Sequence, residues 1–428
     1  MKNTRRAVLM ALALATALLQ ACGGGSDSTG SGTLRLINTT RTHPSLDLLA
    51  SAVTVTSATA QDNASASVSQ TAGSISLQVN DTGSSNSLAL ATAVVVKDLH
   101  YSVLAYESDG AVKLALLGED IATPAAGTAQ LRVFDTATAA GALDVFVTAP
   151  GTDLATVGAP TFTLTAATFA QSSGLVSLAP GNWRVRVTAA DNKADLRLDM
   201  PSVTLADQQV GTVLITPTAG ASLLNGGWLL QQGAFTAARN ANARVRLAAA
   251  VSGAATVAAS NGGVAIESGV ASPSVGTYQV VPAAGALAVT VNGTPVSSTV
   301  ALTAGTDVTL LVHGTPAAAT VSAIVDDNFL PASTTRLKMR LLNGTTGSAI
   351  GLSLNADFSV LANNVQPGQA SAPALATANS AMRIEVTSST NQQSLYLQTG
   401  LNIPGSGVYT MFMLGDAAAP AGVLRKDR

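Results

Sequence analysis

The 428-residue chain balances 22 lysines and arginines against 24 aspartates and glutamates, a formal net charge of −2. That leaves no basic excess to neutralise phosphates and argues against nucleic-acid binding. Aromatic residues make up 4 % of the chain, too few for a broad sugar-stacking platform or for the aromatic girdles of a membrane barrel. A single cysteine rules out an intramolecular disulfide.

The chain opens with Lys2, Arg5 and Arg6, followed by an apolar run from Ala7 to Leu19 broken only by Thr16. A helix of that length reaches about 20 Å, short of the roughly 30 Å hydrocarbon core. A charged start, a short apolar run and a small residue before the cut are the marks of a secretory signal peptide, predicted over residues 1–21. The segment Leu19-Gln20-Ala21-Cys22 resembles the bacterial lipobox, with Gln20 departing from the small or β-branched residue usual there. The resemblance implies a diacylglycerol thioether on Cys22, cleavage before it and acylation of the new amino terminus. One acyl chain binds a bilayer only marginally and two or more hold firmly, at about 0.8 kcal/mol per buried methylene. Residues 22–32 (CGGGSDSTGSG) read as the lipid-anchored tether, with a random-coil span of about 17–19 Å over ten residues. Gly23 stands where an aspartate would, by the Gram-negative sorting rule, retain a lipoprotein in the inner membrane. That resemblance implies the outer membrane.

Four units of about a hundred residues follow. Leu34-Arg35-Leu36-Ile37-Asn38 is echoed by Leu131-Arg132-Val133-Phe134-Asp135, and twelve residues after each arginine comes an apolar-Asp-apolar strand, Leu46-Asp47-Leu48 and Leu143-Asp144-Val145. A third copy starts at Arg244-Val245-Arg246-Leu247 and gives Ala255-Thr256-Val257. A fourth starts at Leu337-Lys338-Met339-Arg340-Leu341 and gives Ile350-Gly351-Leu352. Alternating strands recur in mid-unit from Gly73, Gly181, Gly285 and Ala381, and late in each unit from His100, Val210, Asp307 and Val408. Period-two alternation between turn residues marks half-buried strands, about seven per unit, the pattern of an immunoglobulin-like sandwich. The expected fold is all-β, with tandem sandwiches over residues 33–122, 128–233, 242–330 and 335–428.

The opening strand, the apolar-Asp-apolar strand, the Pro180-Gly181-Asn182-Trp183 turn and the late Tyr409-Thr410 strand together resemble the uncharacterised bacterial domain family numbered 4397. Membership implies sandwich repeats on exported proteins, often lipoproteins, over most of the mature chain. The second repeat carries the likeness most fully. These motifs belong to the fold and imply no known chemistry.

Chemistry-bearing residues are scattered. His43, His100 and His313 have no second histidine within five residues, where a metal pair needs close spacing. No Gly-x-Ser-x-Gly elbow lies between a strand and a helix. The carboxylate pairs Glu119-Asp120 and Asp326-Asp327 follow closing strands. They read as solvated linker ends or, with Asn328 as an added oxygen donor, as a calcium site stiffening the junction. Arg35 with Asp47, and Arg132 with Asp144, read as cross-strand ion pairs worth about 0.2–1 kcal/mol, or as a repeated ligand site. Trp183 reads as a core residue and Trp228 as a surface contact.

The functional expectation is a non-catalytic envelope protein, a tethered rod of sandwiches held to the membrane through lipid on Cys22. It would space or present a binding or adhesion surface for an envelope protein or glycan. No catalytic, cofactor or metal residue is assigned. Two alternatives stand beside it: a calcium-dependent carbohydrate binder or envelope enzyme using the junction carboxylates, and an accessory subunit of an envelope assembly.

Overall fold

The computed structural model describes residues 30–428 apart from 109, 166–169 and 348–349, with the side chain of residue 138 also left out. The expected signal peptide, Cys22 and most of the tether lie outside the described residues. No described helix is long and apolar enough to cross a membrane.

The fold is all-β, built from four β-sandwich repeats. The first repeat comprises β1 (Ser31–Asn38), β2 (Ser45–Ala50), β3 (Val53–Ala60), β4 (Asn63–Ala64), β5 (Val68–Thr71), β6 (Gly73–Asp81), β7 (Ser87–Val95), β8 (His100–Ser108) and β9 (Ala111–Gly118). One sheet runs β4-β1-β8-β9, with β5 also on β1, and the other runs β3-β2-β6-β7. The chain crosses the sandwich between β1 and β2, comes back for the short pieces β4 and β5, crosses again to β6 and β7 and returns at β8, which lies parallel to β1 in the register Arg35↔Ser102 and Leu36↔Val103. Nine described strands recur in each later repeat. The excess over the expected seven comes from short edge pieces such as β4, which pair with the two ends of β1.

The parallel pair recurs as Ala129–Asp135 with Val210–Pro217, Asn242–Val251 with Asp307–Thr315, and Arg336–Thr346 with Gly407–Asp416. These strands carry continuous apolar runs, as in Val103-Leu104-Ala105 and Met411-Phe412-Met413-Leu414. A strand buried on both faces reads as a continuous apolar run. Alternate residues fill the sandwich, here Leu34, Leu36, Val103 and Ala105, and the intervening ones pack on a neighbouring repeat.

That second face pairs the repeats. Ile37, Leu104 and Leu117 of the first meet Phe134, Leu214 and Leu229 of the second. Ala248, Ala250 and Leu311 of the third meet Leu342, Phe412 and Leu414 of the fourth. Fully burying a leucine or phenylalanine contributes roughly 1.5–3 kcal/mol. Gly344 lets the third and fourth repeats close on each other, since a Cβ there would stand 3.0 Å from both Ala250 and Leu311 side-chain atoms. The repeats are therefore not strung end to end as the rod expectation had it. They lie sheet against sheet in two pairs.

The two tryptophans divide differently from expectation. Both are half-buried against the second repeat's core, so Trp228 is a packing residue and not a free surface contact. Its indole covers Gly211, where a Cβ would overlap the ring. Gly211→Ala is expected to destabilise the protein by about 1–3 kcal/mol through overpacking. In a Trp228→Leu background the same change should cost much less. Urea denaturation of the four chains checks this, and equal losses in both backgrounds would refute the overlap.

The first strands of the first, second and fourth repeats carry a buried polar residue at or near their ends. Asn38 accepts from the Thr40 backbone N–H and hydroxyl, and Asn343 accepts likewise from Thr345. The second repeat has Asp135 there, 5 % exposed and accepting from the Ala137 N–H. Burial pushes its carboxyl up to about 6, against the downward pull of that hydrogen bond. A raised folded-state pKa means that folding favours the protonated acid. Its contribution is therefore present below about pH 4 and lost as pH rises through about 6. Asp135→Asn should stabilise the chain by on the order of 3 kcal/mol at pH 7 and by little at pH 4. Thermal melts at the two pH values measure the difference.

Candidate functional site: buried arginines and the cleft where four repeats meet

The first strand of every repeat carries a buried arginine on its outward, repeat-facing side. Its Nε donates to a hydroxyl on the parallel strand: Arg35 to Ser102 at 2.8 Å, Arg132 to Thr212 at 2.9 Å, Arg246 to Thr309 at 2.9 Å and Arg340 to Thr410 at 3.0 Å. All four arginines are buried, at 2–7 % exposure. The register corrects the sequence alignment of the last two repeats. The equivalents of Arg35 are Arg246 and Arg340, not Arg244 and Lys338.

Seventeen residues past the hydroxyl, at or just after the end of the closing strand, three repeats place an acid. Ser102 donates to Glu119, Thr309 to Asp326 at 2.7 Å and Thr410 to Asp427 at 2.5 Å. In the first repeat the loop closes on itself, Arg35 meeting Glu119 at 2.5 Å, while Gln232 N–H of the second repeat also donates to Glu119 at 2.6 Å. In the last pair it crosses. Arg246 of the third repeat meets Asp427 of the fourth at 2.5 Å, and Arg340 of the fourth meets Asp326 of the third. The second repeat has Leu229 where the acid would be, packed in the apolar interface. Arg132 donates instead to the Gly118 carbonyl at 2.7 Å, and burial lowers its pKa against the upward pull of Glu119.

Glu119 and Asp326, each 1 % exposed, are thus buried interface anions and not solvated linker ends. Their neighbours are paired separately, Asp120 with His100 Nδ1 at 2.7 Å and Asp327 with Lys338 at 2.9 Å. The calcium expectation for Asp326, Asp327 and Asn328 fails on donor chemistry. Asp326 already answers Arg340, Thr309 and the Tyr278 hydroxyl, and Asp327 answers Lys338 and the Phe329 N–H. Among the described residues no group of three or more His, Cys, Asp and Glu side chains is placed to hold a metal.

The expected Arg–Asp cross-strand pairs do not form, because the arginine and aspartate strands belong to opposite sheets. Asp47 accepts from Ala58 N–H at 2.8 Å and from the Thr82 hydroxyl, and Asp144 from the Thr163 hydroxyl and Asp191 N–H. They tie turns at one end of the second sheet. The shared bulge register places Ala258 and Ser353 at this position in the last two repeats, two residues beyond Thr256 and Gly351. His43 pairs with Asp81 at 2.7 Å. His313 lies against Gly368, with its pKa lowered by burial.

The pairing of repeats encloses a cleft of about 550 Å³ to which all four contribute, including Arg41 and Glu107, Pro217, Phe329 from the last connection, and Lys338 and Leu375. Arg41 is its central polar group. It meets Glu107 at 2.8 Å, donates to the Thr218 carbonyl of the second repeat and lies 4.7 Å from the Phe329 ring centre. Burial would raise the Glu107 carboxyl, but two hydrogen bonds from Thr42 and the Arg41 charge outweigh it and hold it low. Lys338 and Asp327 form a second, more exposed ion pair on the wall. The cleft is apolar ground with self-neutralised ion pairs, the composition of a site that orients a ligand of small-molecule or side-chain size.

Fold and interfaces define the class, a protein of tandem β-sandwich repeats packed in pairs. Residues 32–146 match the domain of unknown function DUF4397, so that segment carries the domain of this family. It spans the first repeat and the opening of the second, where the sequence motifs had put the second repeat foremost. No curated protein matches the chain. Solved structures with some likeness include a candidate cell adhesion protein from Bacteroides uniformis, at 14 % identity and TM-score 0.21, covering 47 % of this chain and 98 % of its own. Two others, from Bacteroides ovatus and Parabacteroides distasonis, are 10 % identical, with TM-scores of 0.15 and 0.16. Each covers 71 % of this chain, with 97 % and 99 % of its own length. At such scores these superpositions decide nothing about fold or function.

The ion network predicts unequal mutational costs. Arg340→Leu strands the buried Asp326 carboxylate and should destabilise by about 3–5 kcal/mol. Arg132→Leu strands no carboxylate and should cost about half as much or less. Comparable losses in urea titrations would show that the carboxylates add nothing to the interface.

Proposed function

We propose that this chain is a non-catalytic envelope protein, anchored through lipid on Cys22, that binds or adheres to a protein or glycan of the cell envelope at the cleft between its repeats. The observation carrying this reading is the cleft itself. It is about 550 Å³, within the usual range for ligand sites, and every repeat lends it a side chain. A spacer has no need for such a shared pocket, whereas a binding module has a direct use for one. The ionisable groups described on its wall are held in fixed pairs, Arg41 with Glu107, Lys338 with Asp327 and Asp326 with Arg340, which suits orientation of a ligand better than proton transfer. The signal sequence and Cys22 support the address, and the repeat fold is compatible with an adhesion role.

The test uses the full chain expressed in its own envelope. Wild type should partition into a detergent phase and Cys22→Ala into the aqueous phase. An envelope component crosslinked to wild type should be lost in Leu375→Arg, a change at a side chain already 54 % exposed. Turnover of glycan or ester substrates by the purified chain would sink the non-catalytic reading. Crosslinks insensitive to Leu375→Arg would remove the cleft from it.

A further inference from the structure

A second cleft, of about 490 Å³, opens between the third and fourth repeats and bears on a different chemistry. Arg244 and Arg246 lie two apart on the first strand of the third repeat and so share one face. Tyr278, from the connection preceding strand Gln279–Pro282, lies over both guanidinium groups, 4.1 and 4.5 Å from their centres. Arg425 and Lys426, at the end of the closing strand, supply the opposite wall together with Asp427. Four cationic residues and one carboxylate thus line the cleft, in a chain whose formal net charge is −2; of the adjacent pair, Arg425 stands opposite Thr410 on the repeat-facing side of the strand and Lys426 opposite Tyr409 on the sandwich side.

The carboxylate is already engaged, since Asp427 receives Arg246 Nη1 and the Thr410 hydroxyl, both at 2.5 Å. Arg246, with its side chain 3 % exposed, leaves Nη2 without a hydrogen-bond partner. Asp326 lies 3.8 Å from it. Arg244 commits Nη1 to Asp307 and Ser222. Arg425 is anchored by one bond to the Val275 carbonyl. Among the described residues neither Arg425 nor Lys426 has a carboxylate in ion-pair range. A recess with an excess of one sign of charge concentrates potential. Guanidinium forks match the planar oxygens of carboxylates and the oxygens of phosphate or sulfate.

We propose that this cleft binds a small ligand bearing an oxyanion, either a sugar acid or a free phosphate. Arg425 takes the anion at the mouth, and the Arg244–Tyr278–Arg246 stack forms the inner wall. The site stands apart from the central cleft and does not depend on the proposed envelope role.

The test is calorimetric titration of the full chain in non-ionic detergent with galacturonate, inorganic phosphate and neutral galactose. At least one anion should bind, more weakly as salt rises, and galactose should not. Which anion binds identifies the source of the oxyanion. The double variant Arg425→Gln/Lys426→Gln, confined to exposed side chains, should weaken that binding about tenfold. Leu375→Arg in the central cleft should leave it unchanged, so the two sites fail separately. Absence of heat from both anions, equal binding of galactose, or unaltered affinity in the double variant would overturn the proposal.

Discussion

The architecture depends on a guanidinium buried between sheets. Each repeat places a buried arginine on the outer face of its first strand, and the parallel strand supplies a hydroxyl to its Nε. A charge so placed is costly unless its remaining donors are met. A neighbouring repeat must then arrive with an acceptor in the right place, and the relative position of the two sheets follows from that demand. Apolar contacts such as Phe412 against Leu311 give the interface much of its adhesion but are tolerant of sliding. The crossed pairs Arg246–Asp427 and Arg340–Asp326 are not, because a shift of one residue would leave four ions unpaired.

The second repeat shows what happens when the acid is missing. Leu229 adds to the apolar interface, and Arg132 falls back on a backbone carbonyl. The first pair is consequently held by charge on one side and packing on the other, while the last pair is held by charge on both. The acids stand at the ends of closing strands, so the connections leave from the same interface. The last connection brings Phe329 under Arg41, and the central cleft is a by-product of how the arginines are satisfied.

Strands were the legible part of the sequence. The mid-unit strand at Gly73 and Gly181, and the late strand at His100 and Val408, stand where alternation placed them. What alternation could not fix was which of two cations on one face was the equivalent one. Arg244 and Arg246, like Lys338 and Arg340, are two apart and share a face, so a count from either gives a plausible repeat. Only pairing with Thr309 and Thr410 selects the second of each. A signal for the double-sided burial was present, in runs such as Leu310-Leu311-Val312 and Met411-Phe412-Met413 that are apolar at every position. Read as half-buried strands, they gave sandwiches without partners.

The sequence by itself determined the all-β class, the fourfold repetition and the positions of the main strands, because these rest on local periodicity and turn chemistry. It also supplies the grounds for expecting a lipid on Cys22, which lies outside the described residues. Tertiary structure alone decided that Glu119 and Asp326 are interior anions, that Asp47 and Asp144 tie turns instead of pairing with arginine, and that clefts form between repeats. The physical reason is the same in each case. Whether a charged side chain near a strand end meets water or a buried guanidinium depends on residues a repeat away, and local pattern carries no information about which sheets come face to face.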